Sequence, residues 1–316
     1  MIWLTWRQQR TETLIAVALL VALAAVLIPT RLHVASVYDH EQIGTCLAHD
    51  TAGCPDALQA FNSRFEGLLG LVNWFTLFPG ILAILLAAPL AIELEQGTFR
   101  LAWTQSITRR RWLTTKLVLI AAGALLAALI MSLLLTWWRT PFDQLGNRFD
   151  TGFESEGIVP LGYTVFAAAL VIALGAVLRR TAPAIGLALI GFIVARVVIG
   201  GFLRPHYLAP LSATWSGDPA TTGPDLRTAW LIRQDLSDAH GNAVHNLPSI
   251  ADACGSDLAA KFGDASCLAQ HGVFNHAIYH PASRFWLFQG IEAAIFLGLA
   301  LALGAFAVWW IRDRVS

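Results

Sequence analysis

Glu93–Lys116, ELEQGTFRLAWTQSITRRRWLTTK, is a short polar interruption between two long apolar runs, and its reading decides the fold. Arg100, Arg109, Arg110, Arg111 and Lys116 crowd this loop and its flanks. Short loops rich in Lys and Arg stay on the cytoplasmic side of a membrane, so the stretch is predicted to be an inner turn. Gly97 is suited to end a helix by taking a left-handed backbone, Thr98 to open a short helix through Ala102 and Trp103, and Thr108 to cap the next span. Three arginines then stand at a helix N-terminus, where the macrodipole disfavours each by roughly 0.3–1 kcal/mol. Anionic lipid, membrane topology or a partner protein must outweigh that cost.

Outward from this loop the composition points the same way. The 316 residues are 56% hydrophobic and only 13% charged, where a soluble domain carries about 25%, and the mean hydropathy is +0.59. The chain is expected to be an all-α integral membrane protein with six transmembrane helices. Residues 1–11, with Trp3 and Trp6 ahead of Arg7 and Arg10, suit a helix lying in the inner interface, or else a basic leader. No small-residue cleavage site follows, so the first span is expected to be retained. Residues 12–203 are read as spans one to five, with the inner loop 93–116 and outer loops at 31–65 and 139–160. Residues 204–283 form an extracellular domain, and 284–316 the sixth span and its cytoplasmic tail.

Charge tests this topology. Arg7, Arg10, the loop cluster, Arg179, Arg180, Arg312 and Arg314 all fall in inner segments, while most acids fall outside, which places both termini in the cytoplasm. The formal net charge of zero conceals this segregation, and nothing supports nucleic-acid binding. Cys46, Cys54, Cys254 and Cys267 all lie in outer loops, the oxidising side. Of the three pairings open to four cysteines, local closure favours Cys46–Cys54 and Cys254–Cys267; four free thiols are the alternative.

No catalytic machinery is evident: the chain lacks the glycine-rich Lys-Ser/Thr phosphate loop and the paired-His metalloprotease motif. His271, His276 and His280 invite a metal site, but their irregular spacing, with Pro281 just after, favours polar loop residues. Arg196 and Glu292 lie inside spans five and six, each roughly 12 Å below the outer boundary at ~1.5 Å per residue. Ionisable groups there are costly without a partner, so the two are expected to form an intramembrane ion pair, with a gate or substrate contact as the alternative. Glu93 and Glu95 either pair with Arg109–Arg111 or hold the inner loop in shape for a partner protein. Asn73, Trp74, Phe75 and Phe78 on span two combine apolar surface with one polar group, which suits either a small-molecule pocket or ordinary packing.

The order of parts, with ELEQGTFRLAWTQSITRRRWLTTK, RPHYLAPL at Arg204–Leu211 and YHPASRFWLFQGIE at Tyr279–Glu292, resembles the permease subunits of bacterial type-2 ATP-binding-cassette (ABC) exporters. The resemblance covers essentially the whole chain and implies a multi-pass permease of the bacterial cell membrane, without a fused nucleotide-binding domain. It implies two permease chains, as a homodimer, around a cavity built chiefly from spans two and five, which adds Phe192 to the span-two residues. Two separate ATPase subunits, holding ATP and Mg, would dock on a coupling helix at Glu93, Glu95, Thr98, Arg100, Trp103 and Arg109–Arg111. The cargo implied is a small amphipathic or hydrophobic compound, moved outward. An ion-coupled secondary transporter, or a membrane sensor or scaffold with an extracellular ligand-binding loop, are the other classes considered.

Overall fold

In hydrocarbon every backbone N–H and C=O must be satisfied within the protein, and a helix does this locally. Each apolar run adopts that solution in the computed structural model. It describes residues 2–49, 54–98, 108–146, 148–216, 223–224, 226–242, 244, 249–250, 254 and 265–314. In chain order the helices are α1 (Ile2–His40), α2 (Ile43–His49), α3 (Cys54–Asn73), α4 (Phe78–Gln96), α5 (Arg109–Asp143), α6 (Val159–Leu178), α7 (Thr181–Val198), α8 (Ala265–Gln270) and α9 (Phe285–Arg314). Among the described residues six segments are long and apolar enough to cross a membrane: Arg10–His40, Asp56–Gln96, Arg111–Asp143, Val159–Leu178, Thr181–His206 and Ala282–Arg314. Leu14, Val21, Val197, Phe202 and Leu301 are exposed on their faces, as lipid-facing residues are.

The chain divides into two units. The first comprises Met1–Phe142, Thr151–Arg204 and Trp286–Ser316, and the second Asp143–Asp150 and Pro205–Phe285. In the first unit α4 lies close against α6, with Ala83, Ala87, Leu90 and Ala91 buried on one and Ala167, Ala168, Val171 and Ala176 on the other. Small side chains let the backbones approach, and dispersion replaces the hydrophobic effect as the source of association in lipid.

Three features of this unit depart from expectation. Helix α1 runs without a break through residues 2–40, so no change of backbone marks the boundary placed at residue 12. It also continues past Pro29 into the stretch expected to be loop, and 31–65 is mostly helical. The reason is tertiary. Phe61, fully buried, meets Tyr38 of α1 at 5.9 Å, Phe65 at 5.0 Å and Phe142 of α5 at 5.8 Å, and Trp138 Nε1 donates to Thr30 Oγ1 at 3.0 Å. The Cys46–Cys54 disulfide, with Cα atoms 5.4 Å apart, joins α2 to α3. The second departure is in span two, where a 3-10 turn at Trp74–Leu77 separates α3 from α4, with Pro79 in the first turn of α4. The third is residues 151–158, part of the expected outer loop. Phe153, Ser155 and Glu156 are buried there, and Ser132 and Thr136 of α5 and Gln289 of α9 supply hydrogen-bonding partners to Gly157, Ile158 and Phe153 that a local sequence pattern does not reveal.

The second unit carries a three-stranded antiparallel sheet of β1 (Leu211–Trp215), β2 (Trp230–Ser237) and β3 (Phe274–His280), in the order β1-β3-β2. Ala277 on β3 faces Ala213 on β1 and Gln234 on β2. This sheet adds to the helical expectation. Its central strand has buried and half-buried residues in succession, so it lacks the strict alternation that marks a strand with one wet face. The Cys254–Cys267 disulfide lies in this unit, as the short-closure argument anticipates.

His280 ends β3 fully buried beside Trp230, at 5.6 Å between ring centroids. Arg284 Nη1 donates to its Nδ1 at 3.0 Å, so Nε2 carries the proton and donates to the Pro205 carbonyl at 3.1 Å. Burial, together with the Arg284 charge and against the pull of the Pro205 carbonyl, lowers its pKa below the ordinary value. The folded state therefore binds a proton less readily than the unfolded chain. Its contribution to stability is complete above about pH 6.5 and is lost as pH falls from there through the depressed folded value. Hydrogen exchange of the full chain, corrected for intrinsic rates, is expected to show β3 opening more readily at pH 5 than at pH 8. A His280→Gln variant is expected to lose that difference, and equal dependence in both proteins would contradict the assignment.

Candidate functional site

Two arginines and two glutamates, a neutral set, meet in the interior of the first unit. Arg204, 6% exposed, places Nε 2.7 Å from Glu292 Oε2 and Nη2 2.7 Å from Glu292 Oε1, the bidentate fork that fits a carboxylate. The same Nη2 lies 3.0 Å from Glu154 Oε1, and Glu154 Oε2 accepts from Arg196 Nη2. Tyr163 on α6 donates to Glu292 Oε1, and its ring faces the Arg196 guanidinium at 4.8 Å. Phe153 lies 4.2 Å from the Arg204 guanidinium. Burial pushes the Glu154 carboxyl up, but the Arg196 and Arg204 guanidinium groups outweigh it and hold its pKa below the ordinary carboxylate value.

Arg196 makes one further contact. Its Nη1 donates to the Thr76 carbonyl at 2.6 Å, and Thr76 sits in the 3-10 turn that divides span two. A break of this kind removes intrahelical partners from nearby carbonyls, and a buried donor has to replace them. The cluster thus links the broken helix, the buried segment 151–158, α6, α7 and α9. What it can do is hold five segments in one arrangement, or in a second one if the pairs exchange.

The anticipated direct pair between Arg196 and Glu292 is therefore corrected. Both residues belong to the cluster, but Arg196 pairs with Glu154 and Glu292 pairs with Arg204. The depth argument identified two members and missed the intermediates. Glu154 falls within the expected outer loop 139–160, and Arg204 opens the expected extracellular domain. Gln289 was also missed: its Oε1 accepts from the N–H groups of Ile158 and Val159, both at 3.0 Å, and its Nε2 donates to the Phe153 carbonyl at 2.7 Å. It caps the N-terminus of α6 from another helix. The available signal was the spacing of Gln289 and Glu292, two polar residues three apart, and so on one face of an otherwise apolar helix.

At the opposite end of the helices, Gly97 caps α4 with φ 70°, the left-handed conformation read from the sequence. Thr108 opens α5, accepting from Trp112 N through its carbonyl at 3.1 Å and from Arg111 N through Oγ1 at 3.4 Å. Glu93 pairs with Lys116 rather than with Arg111. Glu95 Oε2 accepts from the backbone N–H of Thr181 at 2.9 Å, tying the end of α4 to the start of α7, where a carboxylate complements the helix dipole. Thr98 and Arg111 are exposed, Arg109 and Arg110 begin α5, and Arg100 and Trp103 lie outside the described residues.

Of the residues expected to line a cavity, Asn73 has its side chain outside the described residues. Asn73 ends α3, and Trp74 is 70% exposed. Phe75 and Phe78 meet edge to face at 5.1 Å. Phe192 is buried, 5.5 Å from the Arg196 guanidinium and 6.1 Å from Tyr163, and against Gly80, where a Cβ would come within 2.9 Å of its ring. Phe192 is thus a packing residue of the charged cluster in this arrangement. Among the histidines, His276 lies on a strand with Nδ1 3.1 Å from Asp235 Oδ1. Ligand atoms of Cys254, Cys267 and His271 lie within 4.8 Å of one another. Both sulfurs are consumed in the disulfide and offer no thiolate to a metal.

Residues 17–204 match the family described as ABC-2 membrane transporter related. No curated protein and no solved structure gives a match.

Proposed function

The chain belongs to the ABC-2 membrane transporter related family, the membrane permeases of ABC-type transport, and from that premise we propose that it exports a small amphipathic or hydrophobic compound using ATP hydrolysed by a separate subunit. The observation that carries this reading is the extent of the match, which takes in spans two to four, most of spans one and five, and the polar loop between spans two and three. Two copies of the chain would enclose the path, and two ATPase subunits, holding ATP and Mg, would dock beneath them. Both termini would face the cytoplasm of a bacterial cell, in accord with the basic inner segments.

Thr98–Thr108 and the flanking Glu93, Glu95, Arg100, Trp103 and Arg109–Arg111 would form the docking surface. Three features support this. Gly97 and Thr108 bound the stretch as two helix caps, Glu95 joins its near end to α7, and α4 continues from it toward the broken part of span two. A push on the loop would thus reach the Thr76 carbonyl and Arg196. ATP would favour one of two states only through contacts that differ between them, and exchange within the Glu154, Arg196, Arg204 and Glu292 set provides such contacts. Asn73, Trp74, Phe75 and Phe78 would border the path in a dimer, with Phe192 behind them. Ion-coupled transport has less support, because the buried carboxylates of the cluster already have arginine partners.

Co-expression of the chain with its ATPase tests the reading. Replacing Arg109, Arg110 and Arg111 together with Glu is expected to abolish co-purification of the ATPase and its stimulation by the permease, while the variant still inserts in the membrane. Unchanged capture and stimulation would remove the docking assignment. A complex that hydrolyses ATP without moving any amphipathic compound across proteoliposomes would remove the export reading.

A further inference from the structure

A groove of about 350 Å³ runs between α1, α4 and α5, away from the cluster described above. Its walls are apolar, formed by residues such as Leu20, Leu86, Gly123 and Ile130, and Glu12 with Thr13 stands among them. On α5 the lining extends from Leu119 to Ile130, roughly 16 Å at ~1.5 Å per residue. That volume lies within the range of small-molecule sites.

Glu12 is the anomaly of this groove. Its Oε2 is buried and has no hydrogen-bond partner. A carboxylate oxygen withdrawn from water without a donor is costly, and the usual remedies are a cation or a hydrogen bond. Lys116, one turn before Leu119 on α5, is committed to Glu93 and lies over the Trp112 ring at 5.2 Å. Among the described residues the apolar slot thus has, at its edge, a half-buried glutamate with one carboxylate oxygen that lacks a donor.

We propose that this groove is a binding site for a small organic cation with a bulky apolar body, whose charge is matched by the Glu12 carboxylate. The inference goes beyond the transport reading and needs only that the chain is embedded in a membrane. Charge complementarity selects the cation, and the cavity volume selects a compact body over the two chains of a phospholipid. The slot is open beside Gly123, where a Cβ would meet only Leu86 Cδ2, at 4.0 Å.

Tetraphenylphosphonium and tetraphenylborate share a shape and carry opposite charge, so together they separate charge recognition from apolar partition. Equilibrium dialysis of the purified full chain, without ATPase, is expected to show saturable tetraphenylphosphonium binding that is stronger than tetraphenylborate binding by about tenfold or more. Glu12→Gln is expected to remove that preference, Glu12→Asp to retain most of it, and Gly123→Leu to weaken both probes by filling the slot. Circular dichroism establishes that each variant is folded, and capture of the ATPase establishes that the permease reading stands whatever the dialysis shows. Equal affinity for the two probes, or a preference that survives Glu12→Gln, overturns the proposal. So does loss of tetraphenylphosphonium binding when phosphatidylethanolamine is added to phosphatidylcholine nanodiscs, which would assign the groove to a lipid amine.

Discussion

Glu292→Gln is expected to destabilise the chain by about 3–5 kcal/mol, the range for breaking a buried ion pair by removing one partner. The substitution keeps the shape of the side chain and removes its charge. Arg204, buried and held by the fork to both oxygens of Glu292, is left to share Glu154 with Arg196. Two guanidinium groups then depend on one carboxylate in a low-dielectric interior, and the set carries an uncompensated positive charge. Unfolding in detergent, followed by the fluorescence of the tryptophans, provides the measurement. Glu41→Gln is the internal control, because Glu41 pairs with Arg64 at 3.2 Å where the two side chains are 32% and 53% exposed, a type of pair that contributes only about 0–1 kcal/mol. Similar losses in the two variants would show that the cluster is not the stabilising arrangement described. A joint Arg204→Met and Glu292→Leu replacement is expected to recover much of the loss, since it removes both charges. Transport is expected to stay impaired in that protein if exchange among the pairs is part of the cycle.

Gln289→Leu is the second large effect. It removes the acceptor for Ile158 and Val159 N–H and the donor for the Phe153 carbonyl, leaving three polar groups to be satisfied where Leu offers none. Each unsatisfied buried group costs about 1–3 kcal/mol, so a loss on the order of 3 kcal/mol or more is expected. Gln289→Glu keeps the acceptor, and its charge complements the α6 dipole, so it is expected to be less damaging than Leu. Gly157 reinforces the point: its φ of 72° is left-handed, and a Cβ there would come 2.7 Å from Gln289 Oε1. Gly157→Val is therefore expected to displace the same cap. Equal stability of the Leu and Glu variants at 289 would remove the capping role.

The two ends of the first unit differ in how much of them was legible in advance. At the loop end the controlling chemistry is local. Gly97 stops α4 because a residue without a Cβ takes φ 70° at little cost, and Thr108 caps α5 because its hydroxyl reaches an N–H three residues ahead. The disulfides were legible for a related reason, since each closes a short loop, of separation 8 and 13. In the charged cluster the opposite holds. Glu154 and Glu292 lie far apart in sequence, and only the folding of residues 151–158 against α6, α7 and α9 brings their arginines between them. Gln289 caps a helix that begins 130 residues away, a relation that no window of sequence contains. Glu12 is similar: a glutamate at the start of a span looks like an ordinary boundary residue until the facing walls of α4 and α5 are known.

The sequence by itself determined the apolar runs, the basic segments between them, the helix ends around residues 93–116 and the cysteine pairing, because hydropathy, charge and short-range capping act over a few residues. It also carried the family resemblance through the order of its parts. Only the tertiary structure decided which buried charges meet, that span two breaks at Trp74–Leu77 beneath the Arg196 guanidinium, and that Phe192 packs against Gly80. In hydrocarbon a charge or an orphaned carbonyl must find a partner. The partner that satisfies it is chosen by which helices pack together, and that choice is made by close approach of surfaces remote from one another along the chain.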